Sequence, residues 1–178
     1  MKTTCLLLLP LAFTLGCRQA NPDTATGSNS KAPLAMNTAH ANANPENKKV
    51  VDNFFVALET ENFEMLKEVF APDGRQLNPY VPEGFPKSFD GAEAIYKQYS
   101  SLPQNFSKMR FPRTIYGTDD PDFFFVVFKG DIDIRAGGKY QNDYLGTFRL
   151  EGGRIKEYTE YFNPIVMAKA FHINLGGS

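Results

Sequence analysis

Aromatic and amide side chains alternate along residues 140–151, which the sequence predicts to be a strand. Successive side chains of a strand point to opposite faces of its sheet, so one face of this strand carries Tyr140, Asn142, Tyr144 and Phe148. Such a face suits the wall of a cavity for a small apolar or aromatic ligand, which the polar groups would orient through hydrogen bonds. In the alternative interpretation, Tyr140 and Tyr144 only pack against helices.

The next predicted strand, residues 154–163, contributes candidate acids or bases. One of its faces carries Ile155, Glu157, Thr159 and Tyr161, and the other carries Lys156, Tyr158, Glu160 and Phe162. Alternation alone does not decide which set faces inward. A carboxylate that faces an apolar cavity loses hydration, which raises its pKa and lets it exchange protons near neutral pH.

Composition argues against several other kinds of chemistry. Both cysteines, Cys5 and Cys17, lie in the first 17 residues, so the rest of the chain has no disulfide, cysteine ligand or cysteine nucleophile. The two histidines, His40 and His172, are isolated and indicate neither a metal site nor a Ser/His/Asp system. The net charge is −1 without a basic run, so we expect no nucleic-acid partner. We expect no metal and no cofactor.

The N-terminal residues predict export and membrane anchoring. Residues 1–17 have a positive Lys2 and a short apolar run, as in a secretory signal. Thr14-Leu15-Gly16-Cys17 resembles the lipobox of bacterial lipoproteins, which implies lipidation of Cys17. The alternative is an ordinary signal peptide cut nearby. Residues 18–44 lack aromatic side chains and predict a disordered tether. The expected location is the cell envelope, with a lipid anchor as the membrane contact.

The folded domain is predicted at residues 45–171, before a tail at residues 172–178. Apolar residues at helical spacing predict three helices, the first at residues 46–59 and the others capped by Asn62 and Asp90. Pro72-Asp73-Gly74 predicts a turn after the second helix, followed by a short strand at residues 76–80.

Strands dominate the second half of the chain. The predicted strands are residues 107–116, 123–135, 140–151 and 154–163, and Gly130 predicts a bulge that bends the sheet. Helices followed by a run of strands indicate an α+β fold. Three N-terminal helices packed on a strongly bent antiparallel sheet would form a cone-shaped domain with one open end.

This order of elements resembles the nuclear-transport-factor-2-like (NTF2-like) superfamily, in its SnoaL-like and ketosteroid-isomerase-like branch. Three motifs carry a resemblance to the phenazine-biosynthesis A/B proteins: Tyr140-Gln141-Asn142-Asp143-Tyr144, Phe148-Arg149-Leu150-Glu151-Gly152-Gly153-Arg154-Ile155-Lys156 and Glu160-Tyr161-Phe162-Asn163-Pro164. Asp119-Asp120-Pro121 and residues 80–91 also fit, and the similarity covers roughly residues 46–171.

The resemblance implies a role for Glu160, because Glu160 stands where the phenazine A/B proteins carry a catalytic acid. The alternative is a surface glutamate at a sheet edge. Those proteins also have a pocket histidine, and this chain has no histidine to match it, which argues against imine-forming chemistry.

Three functions follow as hypotheses. The first is acid/base catalysis by Glu160 on a small apolar or aromatic substrate, as in an isomerase, cyclase, dehydratase or hydrolase. The second is non-catalytic ligand binding in the same cavity. The third is a dimeric interaction module of an envelope lipoprotein, because domains of this superfamily commonly pair through the outer sheet face. That contact would lie near Gln141, Asp143, Thr147 and Arg149.

Overall fold

The computed structural model describes residues 43–173, which form four helices and a seven-stranded sheet. The helices are α1 (Pro45–Glu59), α2 (Met65–Val69), α3 (Ala92–Ser100) and α4 (Pro164–Phe171). The strands are β1 (Phe70–Leu77), β2 (Ser88–Asp90), β3 (Phe106–Arg110), β4 (Arg113–Gly117), β5 (Phe123–Ile134), β6 (Lys139–Glu151) and β7 (Arg154–Phe162). The predicted signal, Cys17, nearly all of the predicted tether and residues 174–178 lie outside the described range.

The strands form one curled sheet in the order β2-β1-β7-β6-β5-β3, and β4 also pairs with β5. The N-terminal helices pack with the sheet around one aromatic core, so the predicted α+β cone is confirmed. The sheet is antiparallel except where β1 runs parallel to β7. This parallel pair brings residues far apart in sequence onto adjacent strands.

Helix α1 supplies much of the core. Its N-terminus is capped by Asn44, whose side-chain oxygen accepts a backbone N–H two residues ahead at 3.0 Å. Its apolar stripe faces the sheet, where the Phe54 ring lies 5.0 Å from Tyr158 and the Phe55 ring lies 4.9 Å from Phe128. The helix therefore places aromatic side chains against β5 and β7.

The turn predicted at Pro72-Asp73-Gly74 is wrong, because these residues lie inside β1. The pairing of β1 with β7 is irregular between Phe70 and Arg75, so the turn-forming residues occupy a distorted stretch of strand. A Cβ atom at Gly74 would lie 2.7 Å from the carbonyl oxygen of Ile155, so glycine permits the close approach of the two backbones. The strand starts earlier than predicted and ends at Leu77.

Two predicted helix caps are also wrong. The residue that precedes helix α2 is Glu64, and Asn62 instead accepts the backbone N–H of Met65 in a turn at 3.2 Å. Asp90 ends β2, and Gly91 precedes α3 without any side-chain cap. With a φ of 89°, Gly91 adopts a conformation that favours glycine.

The strand predicted at residues 107–116 is split into β3 and β4, which both pair with β5. The break falls at Phe111 and Pro112. Proline has no N–H to donate to a ladder, and the Phe111 N–H donates to the Glu59 carboxylate at 2.7 Å. Arg113 also binds Glu59, at 3.0 Å, so these contacts tie α1 to the sheet.

Gly130 does not form the predicted bulge, since β5 and β6 pair without a shift from Phe123 to Asp133. A Cβ atom at Gly130 would lie 3.0 Å from the Tyr144 ring, so the glycine makes room for that ring. Irregular pairing instead falls in β1–β7, β3–β5 and β6–β7. Helix α4 has no counterpart among the predicted elements.

Candidate functional site

A cavity of about 500 Å³ is lined by α1, α3, the inner face of the sheet, the loop after β1 and helix α4. This volume falls in the range of small-molecule sites. Most of its wall is apolar, with contributions from Phe54, Phe55, Leu58, Val81, Phe85, Phe128, Ile132, Met167 and Phe171. Its polar members are Gln76, Asn78, Gln98, Tyr99, Tyr140, Tyr144, Tyr158 and Glu160. Among the described residues, Glu160 is the one charged side chain in this lining.

Glu160 belongs to the inward-facing set of β7, together with Tyr158 and Phe162. The fully buried Tyr158 donates its hydroxyl hydrogen to Oε2 of Glu160 at 2.5 Å. Burial raises the pKa of Glu160 to about 7, and the hydrogen bond from Tyr158 acts in the opposite direction. The carboxyl group is therefore divided between its neutral and charged forms at neutral pH.

The charge of Glu160 acts on the pKa values of four tyrosines of the lining, most weakly on that of Tyr140. Burial, and then the negative charge of Glu160, raise the pKa values of Tyr99, Tyr144 and Tyr158. These phenols therefore remain protonated at every pH at which Glu160 titrates. Each of them can act as a hydrogen-bond donor while the carboxyl group gains or loses its proton.

Two amides of the β1 region face the same cavity. Gln76 pairs in register with Tyr158, and Asn78 follows two residues later. Both are buried, and Nε2 of Gln76 donates to Oδ1 of Asn78 at 3.1 Å. Together with the groups around Glu160 they form one polar surface, here called the carboxylate wall, which consists of Gln76, Asn78, Tyr99, Tyr158 and Glu160.

A second polar group, here called the tyrosine wall, consists of Tyr140, Asn142 and Tyr144. The Tyr144 hydroxyl donates to the Tyr140 hydroxyl at 3.0 Å, and Nδ2 of Asn142 donates to the same oxygen at 2.9 Å. Asn142 also donates to the carbonyl oxygen of Asn163 at 3.0 Å, at the residue that caps helix α4. Tyr140 and Tyr144 line the cavity as predicted, whereas Asn142 is buried and is not part of the lining.

Phe148, expected at the cavity surface, lies in the core instead. Its ring is fully buried and stacks on the Tyr158 ring at 4.4 Å. Of residues 123–128, only Phe128 reaches the lining, because Phe124 and Val126 are buried in the core. Phe148 therefore supports the carboxylate wall from beneath.

Sequence reasoning assigned no role to Gln76, Asn78, Tyr99 or Tyr158. The alternation of Tyr158 with Glu160 in one strand face was a usable signal, since both had to point the same way. Gln76 and Asn78 carried no such signal, because a turn was predicted inside β1 and the parallel pairing of β1 with β7 was therefore not expected. His172 is exposed and ends helix α4 with a φ of 53°.

Within residues 43–173, no group of three or more His, Cys, Asp or Glu side chains is arranged to hold a metal ion. The helices of the same range include none that is long and apolar enough to cross a membrane.

Comparison with known proteins agrees with this architecture. Residues 51–158 match the SnoaL-like domain family, and the chain belongs to this family, whose fold is NTF2-like. An uncharacterised PhzA/B-like protein of Pseudomonas aeruginosa is 31% identical over 55% of this chain and 70% of its own length. Phenazine biosynthesis protein PhzA1 of the same species is 28% identical over 71% of this chain and 81% of its own.

A solved structure shows the same fold. The phenazine biosynthesis-related protein PhzB2 of Pseudomonas aeruginosa superposes with a TM-score of 0.63, at 22% identity, over 75% of this chain and 85% of its own. At that identity the similarity supports the fold alone. The chemistry of this chain must be argued from its own cavity.

Proposed function

We propose that the domain binds a small apolar or aromatic molecule in its cavity and that Glu160 transfers a proton to or from that molecule. The observation that carries the proposal is a single carboxyl group with a pKa near 7, held by a buried tyrosine hydroxyl at the wall of an otherwise apolar cavity. An acid or base is most effective when its pKa lies near the working pH.

The chemistry that fits is an isomerisation or a dehydration. In an isomerisation, the Glu160 carboxylate takes a proton from a carbon next to a carbonyl group and returns it to another carbon of the same molecule. The pair of electrons left behind moves to the carbonyl oxygen, where a protonated tyrosine can stabilise the charge. Cyclisation and ring hydrolysis are alternatives, in which Glu160 would again transfer the proton and a tyrosine would again donate a hydrogen bond.

The experiment begins with the ligand, which mass spectrometry of small molecules that co-purify with the chain can identify. With that molecule as substrate, Glu160→Gln should lower turnover by about 10²–10⁴-fold, because the variant keeps the shape and loses the titrating group. Glu157→Gln, on the opposite face of β7, is the matched control and should keep its turnover. Unchanged turnover in Glu160→Gln between pH 4 and pH 8 would reject the catalytic role.

Non-catalytic binding is the second candidate, and one observation favours it: within the described residues the lining provides Glu160 without a second carboxylate or a histidine. A binder would show no chemical change in the bound molecule. Its affinity would depend on pH through Glu160, and Glu160→Gln would flatten that dependence.

We also propose a homodimer through the outer sheet face. Tyr116, Phe125, Val127 and Leu145 are exposed there, and the pairs Tyr116–Phe125 and Val127–Leu145 are adjacent in register. Adjacent exposed apolar side chains are typical of a contact surface. Val127→Glu should reduce the mass measured by light scattering to that of a monomer, and a monomeric wild-type chain would contradict the proposal.

The proposed location is the cell envelope, with Cys17 as the lipidated anchor. The lipobox resemblance supports this proposal. Cys17→Ala should move the protein from the membrane fraction to the soluble fraction, because acyl chains supply the membrane affinity. A variant that still sediments with membranes would reject the anchor.

A further inference from the structure

The side-chain amide of Gln76 has one polar atom without a partner. Gln76 is 4% exposed and lines the cavity. Its Nε2 donates to Asn78, but its Oε1 is buried and accepts no hydrogen bond from the described residues. Buried acceptors are nearly always satisfied in folded proteins, so an unpartnered one at a cavity wall points to a ligand.

The neighbouring Asn78 determines which amide atom of Gln76 is free. Nε2 of Gln76 faces the acceptor Oδ1 of Asn78 at 3.1 Å. This contact uses the nitrogen of the amide as the donor. The oxygen therefore remains as the atom that can meet a ligand, and an oxygen can only accept.

We propose that Gln76 is a specificity residue that selects ligands with a hydroxyl or N–H group, whose hydrogen Oε1 of Gln76 accepts. The proposal rests on the proposed function in one respect, namely that the ligand occupies this cavity. Gln76 pairs in register with Tyr158, which holds Glu160, so the donor group of the ligand binds beside the carboxyl group.

The remaining lining narrows the ligand class. The wall is mainly aromatic and aliphatic, and its described residues include no lysine, arginine or histidine. An anionic ligand would therefore meet no cationic partner. The class that fits is a neutral ring compound with one donor group, such as a phenol, an enol or a lactam.

Two matched probes test this assignment, namely 2-naphthol, which donates a hydrogen bond, and 2-fluoronaphthalene, which has the same ring and no donor. Their dissociation constants are measured by calorimetry on the full chain at pH 5.5, where 2-naphthol is neutral. The readout is the ratio of the two constants. Gln76→Leu should reduce the preference for 2-naphthol by about 10-fold, the usual worth of one buried hydrogen bond.

Matched variants separate the loss of the Gln76 oxygen from a general loss of folding or of binding. Gln141→Leu removes an exposed amide from the outer face of β6, outside the lining, and should leave the ratio unchanged. Gln76→Met keeps an unbranched side chain, so it tests the same atom if the leucine variant fails to fold. Both Gln76 variants should lose the preference for the donor while they retain 2-fluoronaphthalene binding.

Three outcomes would overturn the proposal. An unchanged ratio in both Gln76 variants would show that Oε1 does not contact the donor. A ratio lost in Glu160→Gln but kept in the Gln76 variants would assign the donor to the carboxyl group. Failure of the wild-type chain to bind either probe would reject the aromatic-ligand cavity of the proposed function itself, whereas binding without a Gln76 effect rejects only this inference.

Discussion

The two polar walls of the cavity differ in how completely their hydrogen bonds are satisfied. In the tyrosine wall, Tyr144 and Asn142 both donate to Tyr140, and Asn142 also binds the start of helix α4. In the carboxylate wall, the Gln76 oxygen has no partner among the described residues, and Glu160 receives one described donor, Tyr158. A carboxylate has room for several more.

This difference indicates that the two walls have different roles. A wall whose groups satisfy one another is rigid and can hold a ligand in one orientation. A wall with a free acceptor and a titrating carboxyl group has capacity left for a ligand and for a proton. Variants of the groups in and beneath each wall test that difference.

The largest effect is expected beneath the carboxylate wall. Phe148→Ala should lower the free energy of unfolding by about 3–5 kcal/mol, because it leaves a cavity under the Tyr158 ring. Asp143→Ala, on the outer face of the same strand, removes an ion pair with the exposed Lys129 and should change it by about 1 kcal/mol or less. Urea denaturation of both variants measures the contrast. Equal effects would mean that the wall does not depend on this packing.

Glu160 should make stability depend on pH. Its pKa is about 7 in the folded chain and near 4.5 when unfolded, so the folded state binds the proton more tightly. The contribution of Glu160 to the free energy of unfolding is therefore largest below pH 4.5 and falls as the pH rises to about 7, by up to about 3 kcal/mol. Glu160→Gln should remove this slope and be more stable than wild type at pH 8.

Denaturation curves at a series of pH values measure this slope, with Glu157→Gln as the control that keeps it. A wild-type curve without a decline between pH 4.5 and pH 7 would show that the carboxyl group is not desolvated.

Removal of the Tyr158 hydroxyl isolates the donor of the carboxylate wall. The hydrogen bond from Tyr158 lowers the pKa of Glu160, so Tyr158→Phe should raise that pKa further, by about 1 unit. Carbon-13 NMR of the glutamate carboxyl groups follows the titration. Tyr161→Phe, whose hydroxyl belongs to the outward-facing set of β7, should leave the titration in place. A lowered pKa in Tyr158→Phe would contradict the geometry.

Local signals in the sequence predicted most of the fold and one half of the site. Helical spacing located α1 and α3, and strand alternation put Tyr140 and Tyr144 on the inner face of β6, because both signals act over a few residues. The motif around Glu160 pointed to the one acidic side chain in the described lining. Alternation could not tell that Phe148, on the same face, lies too deep to reach the cavity surface.

The other half of the carboxylate wall depends on a contact that sequence patterns do not encode. Gln76 reaches Tyr158 only because β1 pairs in parallel with a strand some 80 residues later. Pro72-Asp73-Gly74 has the composition of a turn, but pairing with β7 holds this segment in a strand. Gly130 likewise makes room for the ring of Tyr144 on the neighbouring strand, and it does not form a bulge in its own strand.

The smallest effect is expected in the tyrosine wall. Tyr144→Phe removes one donor, but Tyr140 keeps the hydrogen bond from Asn142, so the loss in unfolding free energy should be about 0.5–1.5 kcal/mol. Turnover and the preference for 2-naphthol should stay within a few-fold of wild type. Tyr140→Phe is the informative partner, because it removes the oxygen that both neighbours use, and its effect on stability should be the larger. A loss of turnover in Tyr144→Phe as large as that in Glu160→Gln would place the chemistry on both walls and end the distinction between them.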